Sequence, residues 1–328
     1  MVGIMDKDEL KLITKICYLY YYEEEVQSKI AKRFNLTRQM VSRLIQKAKD
    51  EGILKIIIAS PVQEVIGLEA DLESKYGLKE AIVVQSDTLD DIELVKKVGK
   101  ASGEYLSKVL MNKLNVGIGF GLAIQSMAEY IHGQSIDYDF KDVNYVQLTG
   151  GINSSSSFDN SQYIMNLLAQ KTMSHVSCMN IPSIIDDEKM RDTISESMHY
   201  QKFMDAYNNL HYAFVQINPA DRIYYSADKS INESGKTYLN RLGISYLNGI
   251  DAVGEVCLNY FNDRGHFVET PINDQIMGIT SKKLKSVKNL VGIAAGKASH
   301  DAALGAIRAK AFDILIIDED TARYLLDN

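Results

Sequence analysis

The residues best suited to chemistry lie in a glycine-rich segment at 115–123, NVGIGFGLA. An apolar run ends there in three alternating glycines, and good helix formers follow. Such a turn lets the backbone approach a ligand, and the N–H groups of a helix N-terminus favour an anion. The GxGxG spacing matches neither the dinucleotide GxGxxG nor a P-loop. We therefore predict a small-molecule site, with close helix–sheet packing as the alternative. Its predicted residues are Gly119, Phe120, Gly121, Leu122 and Ala123.

Four further segments can border the same site. A second glycine turn ends another apolar run, and two later segments carry carboxylates and an amide that can bind the hydroxyls of a polyol. A cation follows a third glycine turn near residue 296. Ligands of open α/β sheets lie at the carboxyl ends of the strands, where these segments meet. Ordinary surface turns are the alternative for each. The residues are Gly150, Gly151, Glu255, Asn273, Asp274 and Lys297.

The sequence shows few candidate residues for catalysis or metal binding. The six histidines lack the spacing of metal ligands, and there is no GxSxG nucleophile elbow. Cys17, Cys178 and Cys257 are scattered without a CxxC pair, which disfavours a zinc module or a disulfide framework and fits a reducing cytoplasm. We predict no catalytic residue, no metal and no cofactor.

Residues 26–45, VQSKIAKRFNLTRQMVSRLI, have the features of two helices joined by a tight corner. Ala31 is small enough to let the helices cross closely. Asn35 tolerates a left-handed backbone, and the Thr37 hydroxyl is placed to cap the next helix. The apolar residues of the second helix predicted to face a small core are Met40, Val41, Leu44 and Ile45.

The polar residues of this corner predict a helix-turn-helix whose second helix enters the major groove. Gln39, Ser42 and Arg43 can reach base edges, since Gln pairs well with adenine and Arg with guanine. Other side chains suit phosphates, which fix position without reading sequence. An ordinary basic helical hairpin is the alternative. The predicted DNA-binding residues are Gln27, Thr37, Arg38, Gln39, Ser42, Arg43 and Lys47.

Charge supports a local DNA footprint. The 328-residue chain has a net charge of −7, yet residues 29–55 hold eight Lys and Arg against only Asp50 and Glu51. An acidic body normally repels nucleic acid, so a basic segment at one end favours local binding. No apolar run reaches the roughly 18 residues that a membrane span requires, and the acidic N-terminus is unlike a signal peptide. We expect a cytoplasmic protein without membrane contact.

The elements that must position these residues change character near residue 60. Helices are predicted before it, a wing-like strand at 53–58 follows, and a connecting helix covers 62–76. Apolar strands then alternate with helices, which predicts a mainly parallel sheet covered on both faces. The predicted strands are 80–84, 115–120, 143–148, 212–217, 290–294 and 313–317. The predicted helices are 91–111, 121–132, 160–173, 188–208, 299–309 and 320–327, and Ser154–Ser157 is predicted as a loop.

The order of these motifs resembles the SorC family of bacterial transcriptional regulators. The resemblance runs from QSKIAKRFNLTRQMVSRLIQKAKDEGILKI through VGIGFG, LTGG, AVGEVCLNYFNDRG and INDQIMGI to FDILIIDEDTARYLL. It implies a winged helix-turn-helix joined to an effector domain similar to sugar-phosphate isomerases and deaminases. It also implies binding of phosphorylated sugars, assembly as a dimer or tetramer, and ligand-controlled operator affinity. Gly119–Gly121 and Gly150–Gly151 match the family's glycine turns, and Glu255 matches an acidic residue that faces the sugar hydroxyls.

Two departures from the family pattern concern the phosphate. The family usually has Thr shortly after the first glycine turn, where this chain has Ala123. The family also tends to have Lys early in the late helix, where Ser299 stands, although Lys297 lies two residues earlier. Losing a hydroxyl and displacing a cation weakens the expectation of a phosphosugar. An unphosphorylated sugar and a different polyol phosphate stay open.

The sequence therefore predicts an α/β chain in three parts. A winged helix-turn-helix covers 1–58, a linker helix 59–76, and a doubly wound, mainly parallel α/β domain for effector binding and oligomerisation 77–328. The predicted function is a regulator whose affinity for double-stranded operator DNA depends on a sugar or sugar phosphate, in a homodimer or homotetramer. The alternative is a sugar-phosphate isomerase-like or deaminase-like enzyme with a DNA-binding appendage. A binding module without a DNA role conflicts with residues 26–49.

Overall fold

The computed structural model describes residues 7–54, 63–88, 90–135, 142–151, 161–220, 250–270, 272–310 and 312–328. Contacts divide the chain into two compact units, Met1–Gln63 and Glu64–Asn328. Most of the predicted wing, at 55–58, and the predicted Ser154–Ser157 loop lie outside the described residues. The three-part domain limits stay a prediction.

The smaller unit contains three helices, α1 (Lys7–Tyr21), α2 (Gln27–Phe34) and α3 (Arg38–Asp50). Asn35 ends α2 in the left-handed conformation, with φ 54° and ψ 41°, as the sequence predicts. The N–H of Leu36 then bonds the carbonyl of Ala31. The buried apolar residues that hold the three helices together are Ile13, Ile16, Cys17, Leu19, Ile30, Ala31, Val41, Ile45 and Ala48.

The prediction that Met40 of α3 belongs to the core is wrong. Met40 is 47% exposed, whereas Val41 and Ile45 are buried. Val41, Ile45 and Ala48 follow the four- and three-residue spacing of a single helical stripe and fill the contact with α1 and α2. Met40 lies about 100° away from Val41 around the helix axis, outside that stripe.

The larger unit is built on ten short strands in the part of the chain that the structure describes. They are β1 (Glu80–Val84), β2 (Asn115–Ile118), β3 (Asn144–Gln147), β4 (His175–Ser177), β5 (Tyr212–Gln216), β6 (Asn218–Pro219), β7 (Gly254–Val256), β8 (Asn259–Phe261), β9 (Leu290–Ala294) and β10 (Ile314–Asp318). Seven form a parallel sheet in the order β1-β10-β9-β5-β2-β3-β4. The strands β6, β7 and β8 form a small antiparallel sheet.

Helices cover the parallel sheet. They are α4 (Gln63–Tyr76), α5 (Asp91–Val109), α6 (Leu122–Gly133), α7 (Ser161–Thr172), α8 (Glu188–Glu196), α9 (Met198–Tyr207), α10 (Ser281–Leu284), α11 (His300–Arg308) and α12 (Glu319–Asp327), with 3-10 turns at Asn273–Gln275 and Lys297–Ser299. Two apolar clusters of buried residues occur, one with Val215 and Ile317 and the other with Phe214 and Ile316. Alternate residues of each strand thus enter different clusters, as a sheet covered on both faces requires. The helix predicted as a linker, α4, contributes Leu72 to the first cluster.

The predicted α/β fold is confirmed, and all six predicted strands are present. The prediction missed β4 and the small sheet, because two or three residues are too few to show a periodic pattern. The single helix predicted at 188–208 is wrong in one respect, since it is broken at Ser197. That residue is extended, with ψ 140°, and its side chain accepts the N–H of Tyr200, so it caps α9.

The strand order places a topological switch between β2 and β5. From β2 the chain proceeds outward through β3 and β4, whereas from β5 it proceeds the other way through β9 and β10. The loops that follow β2 and β5 therefore leave in opposite directions, which is the arrangement in which open parallel sheets form a crevice at their carboxyl edge. Such crevices are the usual ligand positions of open parallel sheets.

Candidate functional site

The predicted DNA-reading residues lie on the exterior of the smaller unit. The Thr37 hydroxyl accepts the N–H of Met40 at 3.2 Å and caps α3, as the sequence predicts. Gln27 is the first residue of α2 and is half-buried. The exposed residues of the set are Thr37, Arg38, Gln39, Ser42 and Arg43. We call this set, together with the exposed Met40, the α3 surface. Its side chains combine hydrogen-bond donors with one apolar group, which is the mixture that base edges accept.

The predicted phosphate contact Lys47 is engaged within the protein. Its Nζ lies 2.5 Å from Glu9 Oε1 and 3.8 Å from Glu51 Oε1. The hydrogen bond to Glu9 raises the pKa of Lys47 above its ordinary value. By contrast, no carboxylate oxygen of the described residues lies within 4.0 Å of the Arg38 or Arg43 guanidinium. The two arginines are thus more available to a ligand than Lys47 is.

The glycine turn follows β2 at the switch point. Gly121 has φ +116°, and a Cβ there would lie 2.5 Å from Gln216 Oε1 at the end of β5. The position therefore requires glycine both for its backbone and for the side chain packed against it. Gly119 donates its N–H to the carbonyl of Phe214 at 2.9 Å. Phe120 and Leu122 are buried, with 2% and 3% exposure. The turn is thus packed closely against β5.

A buried run of hydrogen bonds joins this turn to Glu255. Ala123 donates its backbone N–H to Gln216 Oε1 at 2.8 Å, and Gln216 Nε2 donates to Asn218 Oδ1 at 2.8 Å. Asn218 Nδ2 then donates to Glu255 Oε1 at 2.6 Å. Leu258 donates its backbone N–H to the other carboxylate oxygen at 2.7 Å. We call this run the polar chain.

The ends of the polar chain fix the direction of every member. Ala123 and Leu258 contribute backbone N–H groups, which can only donate. The Gln216 amide must therefore present oxygen to Ala123, and the Asn218 amide must present oxygen to Gln216. A group that only accepts has to stand between the two ends, and the Glu255 carboxylate is that group. Glu255 is 4% exposed, so this constraint operates away from bulk water.

Glu255 also supports a tight hairpin between β7 and β8. Cys257 and Leu258 have φ values of 49° and 64°, a conformation that costs non-glycine residues energy. The bond from Leu258 to Glu255 and the contacts of Asn259 Nδ2 with the carbonyls of Val256 and Cys257 hold the hairpin, and the same nitrogen also contacts the carbonyl of Ile279. Burial first, and the neighbouring Glu255 charge second, raise the pKa of Cys257 well above its ordinary value.

The second glycine turn uses its backbone N–H groups in hydrogen bonds within the protein. Gly150 donates its N–H to the carbonyl of Met277 at 2.8 Å, and Gly151 donates to the carbonyl of Ile181 at 2.8 Å. A Cβ on Gly150 would lie 2.5 Å from the carbonyl oxygen of Pro182. This turn lies beside the INDQIMGI segment, and its two N–H groups are already used within the protein.

The remaining predicted ligand residues have mixed surroundings. Asn273 Oδ1 accepts the N–H of Thr270 at 3.1 Å, and Asn273 Nδ2 donates to Glu269. Both ends of this amide therefore bond residues of the same loop. Asp274 is exposed. Lys297 is exposed on the 3-10 turn after β9, and that turn contacts β6.

Sequence reasoning missed three buried polar residues at this edge, Gln216, Asn218 and Asp318. Asp318 is fully buried at the end of β10, and its Oδ2 accepts the N–H of Gly296 at 3.0 Å. Its Oδ1 accepts the N–H of Thr321 at 3.1 Å. A signal was present for Gln216 and Asp318, because each directly follows a run of apolar strand residues, in AFVQ and ILIID.

No helix among the described residues is both long and apolar enough to cross a bilayer. No group of three or more His, Cys, Asp or Glu side chains among them is arranged to hold a metal ion.

Comparisons with known proteins agree on one kind of relative. The family described as "Putative sugar-binding domain" matches residues 60–327. The deoxyribonucleoside regulator of Bacillus subtilis is 26% identical, over 99% of this chain and 100% of that protein. The sorbitol operon regulator of Klebsiella pneumoniae is 27% identical, over 98% of this chain and 99% of that protein. The crystal structure of full-length SorC, the sorbitol operon regulator of Klebsiella pneumoniae, covers 98% of this chain and matches all of that chain at 25% identity, with a TM-score of 0.71.

Proposed function

The chain belongs to the sugar-binding domain family, and we propose that it is a transcriptional regulator that binds operator DNA through α3 and a sugar-like effector in the crevice between β2 and β5. The resemblance to SorC regulators that the sequence motifs predict is confirmed. The observation that carries the proposal is the combination, in one chain, of an exposed and capped α3 surface with a domain of this family.

The α3 surface supports DNA binding through its geometry and charge. Gln39, Ser42 and Arg43 are exposed on the first two turns of α3, which is the part of a recognition helix that reaches base edges. Arg38 and Arg43 are available to bind phosphate or guanine, whereas Lys47 must leave Glu9 before it can bind phosphate. Gln27 at the start of α2 suits a backbone phosphate.

The crevice supports effector binding through its position and its polar chain. It lies at the switch point of a parallel sheet, with the Gly119–Ala123 turn on one side and Glu255 and Lys297 on segments near the other. A ligand alters operator affinity only if it binds one arrangement of the protein more tightly than another. A coupling free energy of about 1–3 kcal/mol changes that affinity roughly 5- to 150-fold.

We further propose a homodimer or homotetramer in the cytoplasm that binds a palindromic operator, because protein symmetry sets the spacing of half-sites. The relatives named as regulators support a regulator over an isomerase or deaminase. In this proposal the chain performs no catalysis and requires no cofactor.

The test begins with selection of bound duplexes from a randomised DNA library by the full chain. The enriched sequence is expected to be palindromic, and its affinity is expected to fall steeply with salt because phosphate contacts release counterions. A panel of sugars and sugar phosphates is then added, and one of them is expected to change the affinity. Selection that yields no enriched sequence contradicts the DNA-binding proposal. An affinity unaffected by the whole panel contradicts the effector proposal.

A further inference from the structure

We propose that the cavity between β4 and α9 is a second small-molecule site, and that it takes an organic carboxylate with an apolar body. Its volume is about 400 Å³, within the range of roughly 300–1,000 Å³ that small-molecule sites occupy. None of the residues that line it is among the predicted DNA-binding or effector residues. The inference therefore does not rest on the proposed function.

One wall of the cavity is a single face of α9. His199, Lys202, Phe203 and Ala206 line it, and their spacing of three and four residues places them on one side of the helix. The opposite wall is β4 with the residues that follow it. In the described part of the chain β4 is the last strand at its side of the parallel sheet, and α9 packs on the neighbouring strand β3. The helix thus leaves a gap over the edge strand.

The apolar part of the lining fits a ligand with an apolar body. It consists of Val176 on β4 and of Phe203 and Ala206 on α9. Phe203 is 4% exposed, and its ring meets the His199 ring edge-on, with the centroids 5.3 Å apart. Apolar ligand surface placed against these side chains is removed from water together with theirs, which favours binding. A ligand without an apolar part gains nothing from this wall.

The charge of the lining selects an anion. Lys202 contributes an ammonium group, and no Asp or Glu lines the cavity among the described residues. No carboxylate oxygen of the described residues lies within 4.0 Å of Lys202 Nζ. A ligand carboxylate can therefore form a charge-assisted hydrogen bond with this lysine without displacing a partner within the protein.

The uncharged polar groups fit a single carboxylate. Asn180 Oδ1 accepts a hydrogen bond from Gln162 Nε2 at 2.7 Å, so Nδ2 is the end of this amide that can donate to a ligand. The Ser177 hydroxyl donates to Asn144 Oδ1 at 3.2 Å. One lysine and a few neutral donors match the charge and the two oxygens of a carboxylate, whereas a phosphate dianion calls for more donors and more positive charge.

The walls of the cavity are held in place by bonds outside it. Tyr207 at the end of α9 donates its hydroxyl to the carbonyls of Gln147 and Leu148, at 3.0 and 3.1 Å. Met179, directly after the cavity residue Cys178, donates its N–H to Gln147 Oε1 at 2.9 Å. Both walls are thus fixed to the end of β3. A cavity that is already formed requires little ordering when a ligand binds, which favours affinity.

The experiment uses Cys178 as a reporter in the full chain. Cys178 lines the cavity and is half-buried, whereas Cys17 and Cys257 are buried. Labelling by iodoacetamide at pH 8 is followed by peptide mass spectrometry. Benzoate, phenylacetate and hexanoate are each compared with their own amides, which have the same shape without the charge. Acetate has the charge without the apolar body. At least one of the three carboxylates is expected to slow labelling of Cys178 saturably, its amide less, and acetate not at all.

Substitutions test the assigned roles, with each Kd measured by ligand-observed NMR, which does not depend on Cys178. Lys202→Gln is expected to raise the Kd of the carboxylate about three- to tenfold and to leave that of its amide unchanged. Lys96→Gln is the matched control, since Lys96 is an exposed lysine of α5, and it is expected to change neither Kd. Ala206→Leu places a larger side chain in the cavity and is expected to abolish binding of both. Circular dichroism checks the folding of each variant.

Three outcomes overturn the inference. The first is the absence of saturable protection by any of the three carboxylates. The second is protection by the amides equal to that by the carboxylates, or a Kd that is the same in Lys202→Gln and wild type. The third is labelling of Cys178 that rises on dilution and does not respond to carboxylates, because the cavity is then covered by a second copy of the chain. None of these outcomes depends on whether operator DNA is selected.

Discussion

Replacing Glu255 by Gln removes the one member of the polar chain that only accepts hydrogen bonds. The backbone N–H groups of Ala123 and Leu258 close the chain at its two ends. With an amide at 255, one pair of neighbouring groups must face each other donor to donor. Flipping Asn218 or Gln216 moves this conflict along the chain but does not remove it.

The expected cost follows from burial. An unsatisfied buried donor costs about 1–3 kcal/mol, and hydrogen bonds to a charged acceptor are roughly twice as strong as neutral ones. Glu255→Gln is therefore expected to lower the free energy of unfolding of the larger unit by about 3 kcal/mol. Glu269→Gln is the matched control, since the exposed Glu269 carboxylate also accepts an asparagine amide, at 2.8 Å from Asn273. Its effect is expected within about 0.5 kcal/mol.

A second substitution makes the test sharper. Asn218→Asp places two carboxylates side by side and is expected to destabilise the unit by itself. In the double variant Asn218→Asp, Glu255→Gln, the acceptor-only group has moved one place along the chain, and every donor again has a partner. Stability is expected to return to within about 1 kcal/mol of wild type. Urea unfolding followed by circular dichroism gives the four free energies of this cycle. Additive losses in the double variant would falsify the assigned direction of the hydrogen bonds.

Three further predictions concern other residues. Arg43→Ala is expected to reduce discrimination at one operator base pair by about 1–3 kcal/mol, whereas Lys47→Ala is expected to lower the affinity for all duplexes alike. Competition gel shifts measure both effects, and identical affinity profiles for the two variants contradict the assignment of Arg43 to a base. Glu9→Gln is expected to raise the affinity for duplex DNA at low salt, because it releases Lys47 from its 2.5 Å contact; an unchanged Kd means that the pair does not compete with phosphate. Burial raises the pKa of the Cys257 thiol well above its ordinary value, and it also raises the pKa of the half-buried Cys178 thiol. A thiol reagent at pH 8 is therefore expected to leave Cys257 unmodified in the folded chain and to modify it in urea. Equal labelling of Cys257 in both states contradicts its burial.

The parts of the molecule that the sequence predicts are those with local causes. Asn35 and Thr37 determine the corner and the cap of α3 by their own backbone preference and side-chain reach. The strands β5, β9 and β10 contain continuous apolar runs, as strands buried on both faces must. Gly121 indicates a turn because its φ of +116° is costly for other residues.

The parts that escaped prediction depend on partners distant in the chain. Gln216 ends an apolar strand, but its role exists only because β2 lies beside β5 and places Ala123 within 2.8 Å. The role of Asp318 likewise cannot be read from the sequence, because it depends on Gly296, which follows β9. Met40 shows the converse limit, since an apolar residue one position outside the buried stripe looks like core in the sequence and is exposed in the structure.

The switch between β2 and β5 has a consequence for the order of events during synthesis. Ala123 and Gln216 are 93 residues apart in the chain, and Asn218 and Glu255 are 37 apart. Closing such loops costs entropy that is recovered only when the late strands have docked. A ribosome-bound chain that has not yet reached Glu255 and Leu258 thus cannot complete the polar chain.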